Sequence, residues 1–215
     1  MSFENKYAPQ IWEDLVFADP DVHNYLASYA RGKSFDHILL HGPHGAGKSE
    51  AAKVLAASSY GLAVHDVQLD MIEHVHEIKD AIKSWMAGGR FGHTCMSHNT
   101  SRPYALIHEV DRYEDKVQLK LRALMDTMSK ARFIFTTNRL EDVDSGIRDR
   151  CDRFELDVPS PADFVRRAQS ILQAEGVELN DSDVQELLEQ GQHTIRSYLR
   201  ALEKVSVEVR SSKAA

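Results

Sequence analysis

The sequence predicts an α/β fold: a five-stranded parallel sheet flanked by helices, followed by a small lid of three helices. Three observations carry this prediction. Five short apolar, β-rich runs alternate with segments of helical spacing. A two-proline break at Pro159 and Pro161 then ends the alternation. Beyond it, apolar residues recur only at helical spacing. A chain of 215 residues suffices for one such core and a small appendage.

The strands are read at residues 37–40, 62–65, 104–110, 132–136 and 154–158, each bounded by polar or turn residues. Helical spacing falls at 50–59, 71–86 and 116–128, with a short piece at 143–149. This order favours parallel strands covered by helices on both faces. In Val158-Pro159-Ser160-Pro161 the prolines stop strand pairing, and Ser160 caps a helix whose first residue is Pro161. The domain boundary is therefore placed between 158 and 159. Phe164, Val165, Ala168, Ile171 and Leu172 make the first lid stripe, Val184, Leu187 and Leu188 the second, and Ile195, Leu199, Leu202 and Val205 the third. The lid spans 159–209, and the small polar residues 210–215 are expected to be a loose tail.

Composition narrows the function classes. Hydrophobic residues at 42% and charged residues at 27% are ordinary for a globular protein, which excludes a disordered or fibrous class. No run approaches the roughly 18 apolar residues of a spanning helix. Residues 1–10 lack the apolar core of a secretory signal, so the expected location is cytoplasmic and no membrane partner is expected. Cys95 and Cys151 give no disulfide framework and read as free thiols in a reducing compartment. A formal net charge of -7 makes the whole molecule repel nucleic acid, so any DNA contact requires a local basic patch.

His41-Gly42-Pro43-His44-Gly45-Ala46-Gly47-Lys48-Ser49 fits G-x-x-x-x-G-K-[ST], between a predicted strand and a predicted helix. Glycines let successive backbone N–H groups turn inward around phosphate oxygens, and the following helix presents its positive end to the same anion. Lys48 is expected at the β and γ phosphates, and Ser49 at Mg²⁺. Later strands supply the rest. Ala105-Leu106-Ile107-His108-Glu109-Val110-Asp111 is an apolar strand ending in acids, with Glu109 placed to deprotonate an attacking water. Phe133-Ile134-Phe135-Thr136-Thr137-Asn138 ends in an amide suited to holding that water or the γ phosphate.

With these blocks quoted, the chain resembles the AAA+ family of P-loop NTPases, and within it the small subunits of replication sliding-clamp loaders, the replication factor C and phage type. Lys6-Tyr7-Ala8-Pro9 with Trp12-Glu13-Asp14-Leu15-Val16 is similar to the K-Y-R-P block that lies against adenine. The run Val117-Gln118-Leu119-Lys120-Leu121-Arg122-Ala123-Leu124-Met125-Asp126 is similar to the Q-x-x-L-R-x-x-M-E helix. Ile147-Arg148-Asp149-Arg150-Cys151 resembles the S-R-C motif, and Thr194-Ile195-Arg196-Ser197-Tyr198-Leu199 the G-D-x-R motif of the lid. The resemblance implies that Tyr7 and Pro9 contact adenine, that Asn138 is sensor 1, that Arg150 is an arginine finger for a neighbouring subunit, and that Arg196 senses the γ phosphate. It implies ATP and Mg²⁺ as cofactors, and related AAA+ subunits, primer-template DNA and a sliding clamp as partners.

Three departures qualify it. His108 stands where the family has a magnesium-organising aspartate; a neutral imidazole is a poorer Mg²⁺ ligand, which lowers metal affinity and rate. The sequence ends where the family's helical collar would begin, and Ala8 replaces an arginine. Lys79, Lys83 and Arg90 form a candidate DNA-facing patch, with a solvated amphipathic helix as the equal alternative. Trp85, Met86 and Phe91 read as clamp contact or core, core being favoured for Trp85. His93, Cys95 and His98 lack the fourth ligand of a structural zinc site, and His65, His74 and His76 read as surface residues. Two functions follow: a clamp-loader-like ATPase in DNA replication, or a nucleotide-gated switch or scaffold with little hydrolysis, serving transposition, defence or replication.

Overall fold

The computed structural model describes residues 2–60, 64, 104–128 and 132–214. β1 (His37–His41) runs through the core, with Ile38, Leu39 and Leu40 at most 1% exposed. It pairs in parallel with β3 (Arg132–Thr137) on one side and β4 (Cys151–Glu155) on the other. β2 (Tyr104–Ile107) adds to the outer side of β3, giving the order β2-β3-β1-β4. Parallel strands need crossover connections, and helices therefore cover both faces.

The two-residue period of each strand divides the core in two. Ile38, Leu40, Leu106 and Ile134 face α2 (Pro20–Ala30) and α3 (Lys48–Tyr60), while Leu39, Ile107, Phe133 and Phe135 face α4 (Asp115–Thr127) and the short α5 (Ser145–Arg148). Each fully buried Leu, Ile or Phe contributes about 1.5–3 kcal/mol of transfer free energy, and these stripes fix which helix face turns inward.

The sheet holds four strands among the described residues, against the five predicted. The run read at 62–65 lies outside them except for Val64, which is buried in the core, and the helix read at 71–86 lies outside them as well. The last strand also differs, running Cys151–Glu155 rather than 154–158. It forms an edge of the described sheet, where exposed Asp152 and Arg153 are tolerated, and that polarity hides its start from a hydrophobic reading.

After β4 the chain becomes helical. Ser160 accepts from the Asp163 amide and Asp163 accepts from the Ser160 amide, closing a capping box at the start of α6 (Pro161–Ala174). Asn180 caps α7 (Asp181–Glu189), and the last helix is α8 (Ile195–Ala214). Phe164, Ile171, Val184, Leu188, Tyr198 and Leu202 form their shared core. α8 continues through Arg210 to Ala214, so the expected loose tail is helical up to its last residue but one. The N-terminal α1 (Phe3–Lys6) packs against this same lid, Phe3 and Tyr7 lying on its core.

Among the described residues no helix is long and apolar enough to cross a membrane.

Candidate functional site

The loop between β1 and α3 turns on positive-φ glycines at 42, 45 and 47. A Cβ on Gly42 would lie 2.2 Å from the Leu156 carbonyl oxygen, so the loop backbone is pressed against the chain leaving β4. The other two glycines meet the lid: a Cβ on Gly45 would approach Thr194 Cβ at 2.8 Å, and one on Gly47 would reach Ile195 Cδ1 at 3.0 Å. The Ile195 amide donates to the Gly45 carbonyl at 3.1 Å. Side chains here would fill the space around the loop, and their absence leaves a backbone-lined cradle of the kind that accepts phosphate.

Lys48, at the start of α3, is 7% exposed and donates to the carbonyls of Gly42 at 2.8 Å and Pro43 at 2.7 Å. Burial pushes its ammonium below the ordinary lysine value, and the carboxylates of Asp111 and Glu109 oppose that shift. The ammonium spans the loop interior. Next to it, exposed Ser49 lines a polar cleft of about 460 Å³ together with His44, Glu109, Asn138 and Arg196. Separate elements thus deliver one site: the loop and α3 give Lys48 and Ser49, the end of β2 gives Glu109, the end of β3 gives Asn138, and α8 gives Arg196.

Glu109 has φ 48° and ψ 51°, the sole non-glycine positive φ among the described residues. Such a residue costs about 1–3 kcal/mol and persists where its surroundings impose it. Here the Thr136 hydroxyl accepts from the Glu109 amide at 3.1 Å, and Arg112 pairs with the Glu109 carboxylate at 2.8 Å. His108 Nδ1 lies 3.2 Å from the same Thr136 hydroxyl, while its buried Nε2 has no hydrogen-bond partner among the described residues. Burial first, then the nearby Lys53 ammonium, lowers the imidazole pKa; Glu50 and Glu109 oppose. His108 does not line the cleft. As a magnesium ligand it does not fit, whereas Ser49 and the glycine cradle do fit a magnesium-bound polyphosphate.

An apolar pocket adjoins the cleft, lined by Tyr7, Pro9, Val16, Phe17, Ala46 and Leu199 among others. The Tyr7 hydroxyl donates to Glu175 Oε1, so the same side chain that walls the pocket is tied to the lid.

Residues 38–160 match the family of ATPases associated with various cellular activities (AAA). The chain belongs to the AAA family. Among its relatives, the replication factor C small subunit of Thermofilum pendens is 26% identical over 202 residues, covering 94% of this chain and 61% of that protein. The corresponding subunit of Halobacterium salinarum is 28% identical over 206 residues, with 94% and 62% covered. This AAA chain thus spans about six tenths of the length of those relatives. In solved structures, the Thermotoga maritima RuvB Holliday junction branch migration motor superposes with a TM-score of 0.70 at 18% identity, over 99% of this chain and 68% of that one. Domain III of the Thermotoga maritima replication initiation protein DnaA gives 0.64 at 16% identity, over 95% and 92%. These two likenesses concern the fold.

Within the AAA domain, the remaining sequence-predicted residues divide. Gly45, Gly47, Lys48, Ser49, His44, Glu109, Asn138 and Arg196 share the cleft, while Tyr7, Pro9 and Ala46 share the pocket. Gly42 and Pro43 shape the loop and offer their carbonyls to Lys48. Arg150 stands apart, just before Cys151, which pairs with His37 at the opposite end of the sheet from the loop. Its guanidinium grips Asp126 with two bonds, at 2.8 and 3.1 Å, and donates to the Gly146 carbonyl at 2.8 Å. Asp126, rather than the adjacent Asp149 or Asp152, is its ion-pair partner. Lys79, Lys83 and Arg90 lie outside the described residues, as do Trp85, Met86 and Phe91 and the histidines at 65, 74, 76, 93 and 98 with Cys95. Cys151 is a free thiol, and burial pushes its pKa up to about 12.

Sequence reading missed Thr136, Arg112, Glu4 and Glu50. Glu4 sits 3.8 Å from Arg196 and 3.7 Å from Arg200, bringing α1 to the mouth of the cleft. Thr136 carried no signal, being one of two threonines ending an apolar run, but strand alternation could have separated it from Thr137, which instead bonds Asp111.

Proposed function

We propose that this AAA domain binds ATP with Mg²⁺ and acts as one ATPase subunit of a clamp-loader-like assembly in DNA replication, with hydrolysis at subunit interfaces. One observation carries the reading: Lys48, Ser49, Glu109, Asn138 and Arg196 converge on one cleft while Arg150 projects from the other end of the sheet. The relationship to replication factor C small subunits supplies the clamp-loading context.

In this reading the adenine lies against Tyr7 and Pro9, and the loop amides with Lys48 hold the phosphates. Ser49 would hold magnesium, which when bound with the nucleotide would supply neutralising charge to the phosphates. Glu109 leaves Arg112 to take the proton of the attacking water, and Asn138 orients that water. Arg196 releases Glu4 for the γ phosphate and holds the lid, already seated on the loop through Ile195, in place over it. Arg150 of one subunit reaches the cleft of the next, so turnover requires assembly. Lys79, Lys83 and Arg90 are proposed to meet primer-template DNA, and a sliding clamp to be the protein partner.

Phosphate release measured alone, with primed DNA and with a clamp tests the reading against a Glu109→Gln control. Turnover stimulated by DNA and clamp supports it; turnover never exceeding the control overturns it. His108 supports the second reading, a nucleotide-gated switch or scaffold with little hydrolysis. An imidazole that bonds Thr136 and does not itself line the cleft contributes no anionic charge to magnesium there. Robust clamp-stimulated turnover rejects that alternative.

A further inference from the structure

The polar cleft and the apolar pocket meet along a seam, and among the described residues only three line both: Gly47, Glu50 and Ile195. Gly47 brings no side chain and Ile195 brings an apolar one. Among the described residues Glu50 is therefore the one charged side chain lining both. It lies in the first turn of α3, directly after Ser49, and its carboxylate is about one-third exposed.

A nucleoside triphosphate has three chemically distinct parts: a flat base, a hydroxylated sugar and a polyanion. If the base fills the apolar pocket and the polyanion the cradle, the sugar bridges the seam. A carboxylate accepts hydrogen bonds and donates none, with about four lone-pair sites on its two oxygens. Vicinal hydroxyls are donors, and bonds to an ionised acceptor are the stronger kind. A carboxylate beside phosphate would otherwise repel it, but Lys53 Nζ sits 2.6 Å from Glu50 Oε1 and balances the charge. Oε2 retains acceptor capacity for the sugar.

We infer that Glu50 is a specificity residue that accepts hydrogen bonds from the ribose hydroxyls and selects ribonucleotides over deoxyribonucleotides. The inference rests on the proposed seating of a nucleotide in this cleft. Glu50 also suits the positive end of α3 electrostatically. That structural role alone predicts lower stability on substitution without any change in sugar preference.

The test is calorimetric titration of the whole chain and its Glu50→Ala and Glu50→Gln variants with ATP, 2′-deoxy-ATP and 3′-deoxy-ATP. The wild type should bind ATP about tenfold more tightly than either deoxy analogue, the scale of one lost charge-assisted bond. In Glu50→Ala the ratio should fall to within about twofold, through weaker ATP binding, with Glu50→Gln intermediate. A ratio unchanged in Glu50→Ala overturns the inference, as does uniform tightening of all three ligands, which would place the carboxylate against the α phosphate. Either result leaves nucleotide binding intact. If the wild type binds none of the three, the nucleotide-site reading fails and takes this inference with it.

Discussion

His108 and His37 illustrate how a single buried imidazole acts on chemistry and on stability. At position 108 the ring bonds the Thr136 hydroxyl, and burial with the nearby Lys53 ammonium disfavours its charged form, so it gives the cleft no charge. Restoring an acid with His108→Asp should raise Mg²⁺-dependent phosphate release about tenfold or more, read at saturating ATP, since charge stabilisation by one group is commonly of that size. No gain would mean that another element limits the rate. At position 37, the Phe133 amide donates to Nδ1 at 3.1 Å, a bond that requires this nitrogen unprotonated. Burial first, then Arg132, lowers the pKa to about 4. The unfolded chain, with its ordinary value near 6.5, therefore binds the proton more readily than the folded one. Stability is complete above that unfolded value and is lost as pH falls through the window toward 4. The full linkage would be about 2 kcal/mol at pH 5, and partial exposure trims it to about 1 kcal/mol. Urea unfolding at pH 7.5 and pH 5 should show His37→Asn losing less stability than the wild type over that interval; parallel losses would contradict the assignment.

Among the elements, the N-terminal block and the lid behave as one unit. Glu175, at the end of α6, has a fully buried carboxylate that meets Lys6 at 2.7 Å, the Tyr7 hydroxyl, and Arg210 near the end of α8. Asp14 pairs with Arg167 of α6, and Arg167 also donates to the Tyr7 carbonyl at 3.2 Å. Glu175→Ala should cost about 2 kcal/mol, below the full value for a buried pair because Lys6 and Arg210 are half exposed. It should also weaken ATP binding by loosening Tyr7. Thermal unfolding and calorimetry check both, and an unshifted midpoint would refute the coupling. None of this was legible in the sequence, because a buried acid and its distant partners leave no periodic mark. What was legible is local. Ser160 and Pro161 announce α6 through capping chemistry, and the glycines of the phosphate loop announce their turns. β4 was misplaced because an edge strand carries little apolar signal, and the end of α8 was missed because small polar residues read as loose chain.

For the whole molecule, the separation of Arg150 from the cleft is the feature that bears on assembly. β1 runs from His37, paired with Cys151 beside Arg150, to His41 at the phosphate loop, so the sheet itself stands between the arginine and this chain's own cleft. An acidic chain of net charge -7 gains little from unspecific association with its copies, which favours contacts made through nucleotide. The bidentate bond to Asp126 presets the guanidinium on the surface, and exposure of both partners keeps that bond weak enough to exchange for phosphate. Arg150→Ala should therefore leave ATP affinity within about twofold while reducing assembly-dependent hydrolysis by about 10³ or more, the scale of a lost arginine finger. Mixing decides whether the residue acts between subunits. Arg150→Ala retains Glu109, and Glu109→Gln retains Arg150, so each variant alone is inactive for a different reason. In a mixed assembly, an Arg150→Ala cleft beside the arginine of a Glu109→Gln neighbour has every group it needs. Phosphate release should reappear on mixing, rising with the proportion of such interfaces. If the two inactive variants stay inactive together while light scattering shows that they co-assemble, Arg150 does not act in trans.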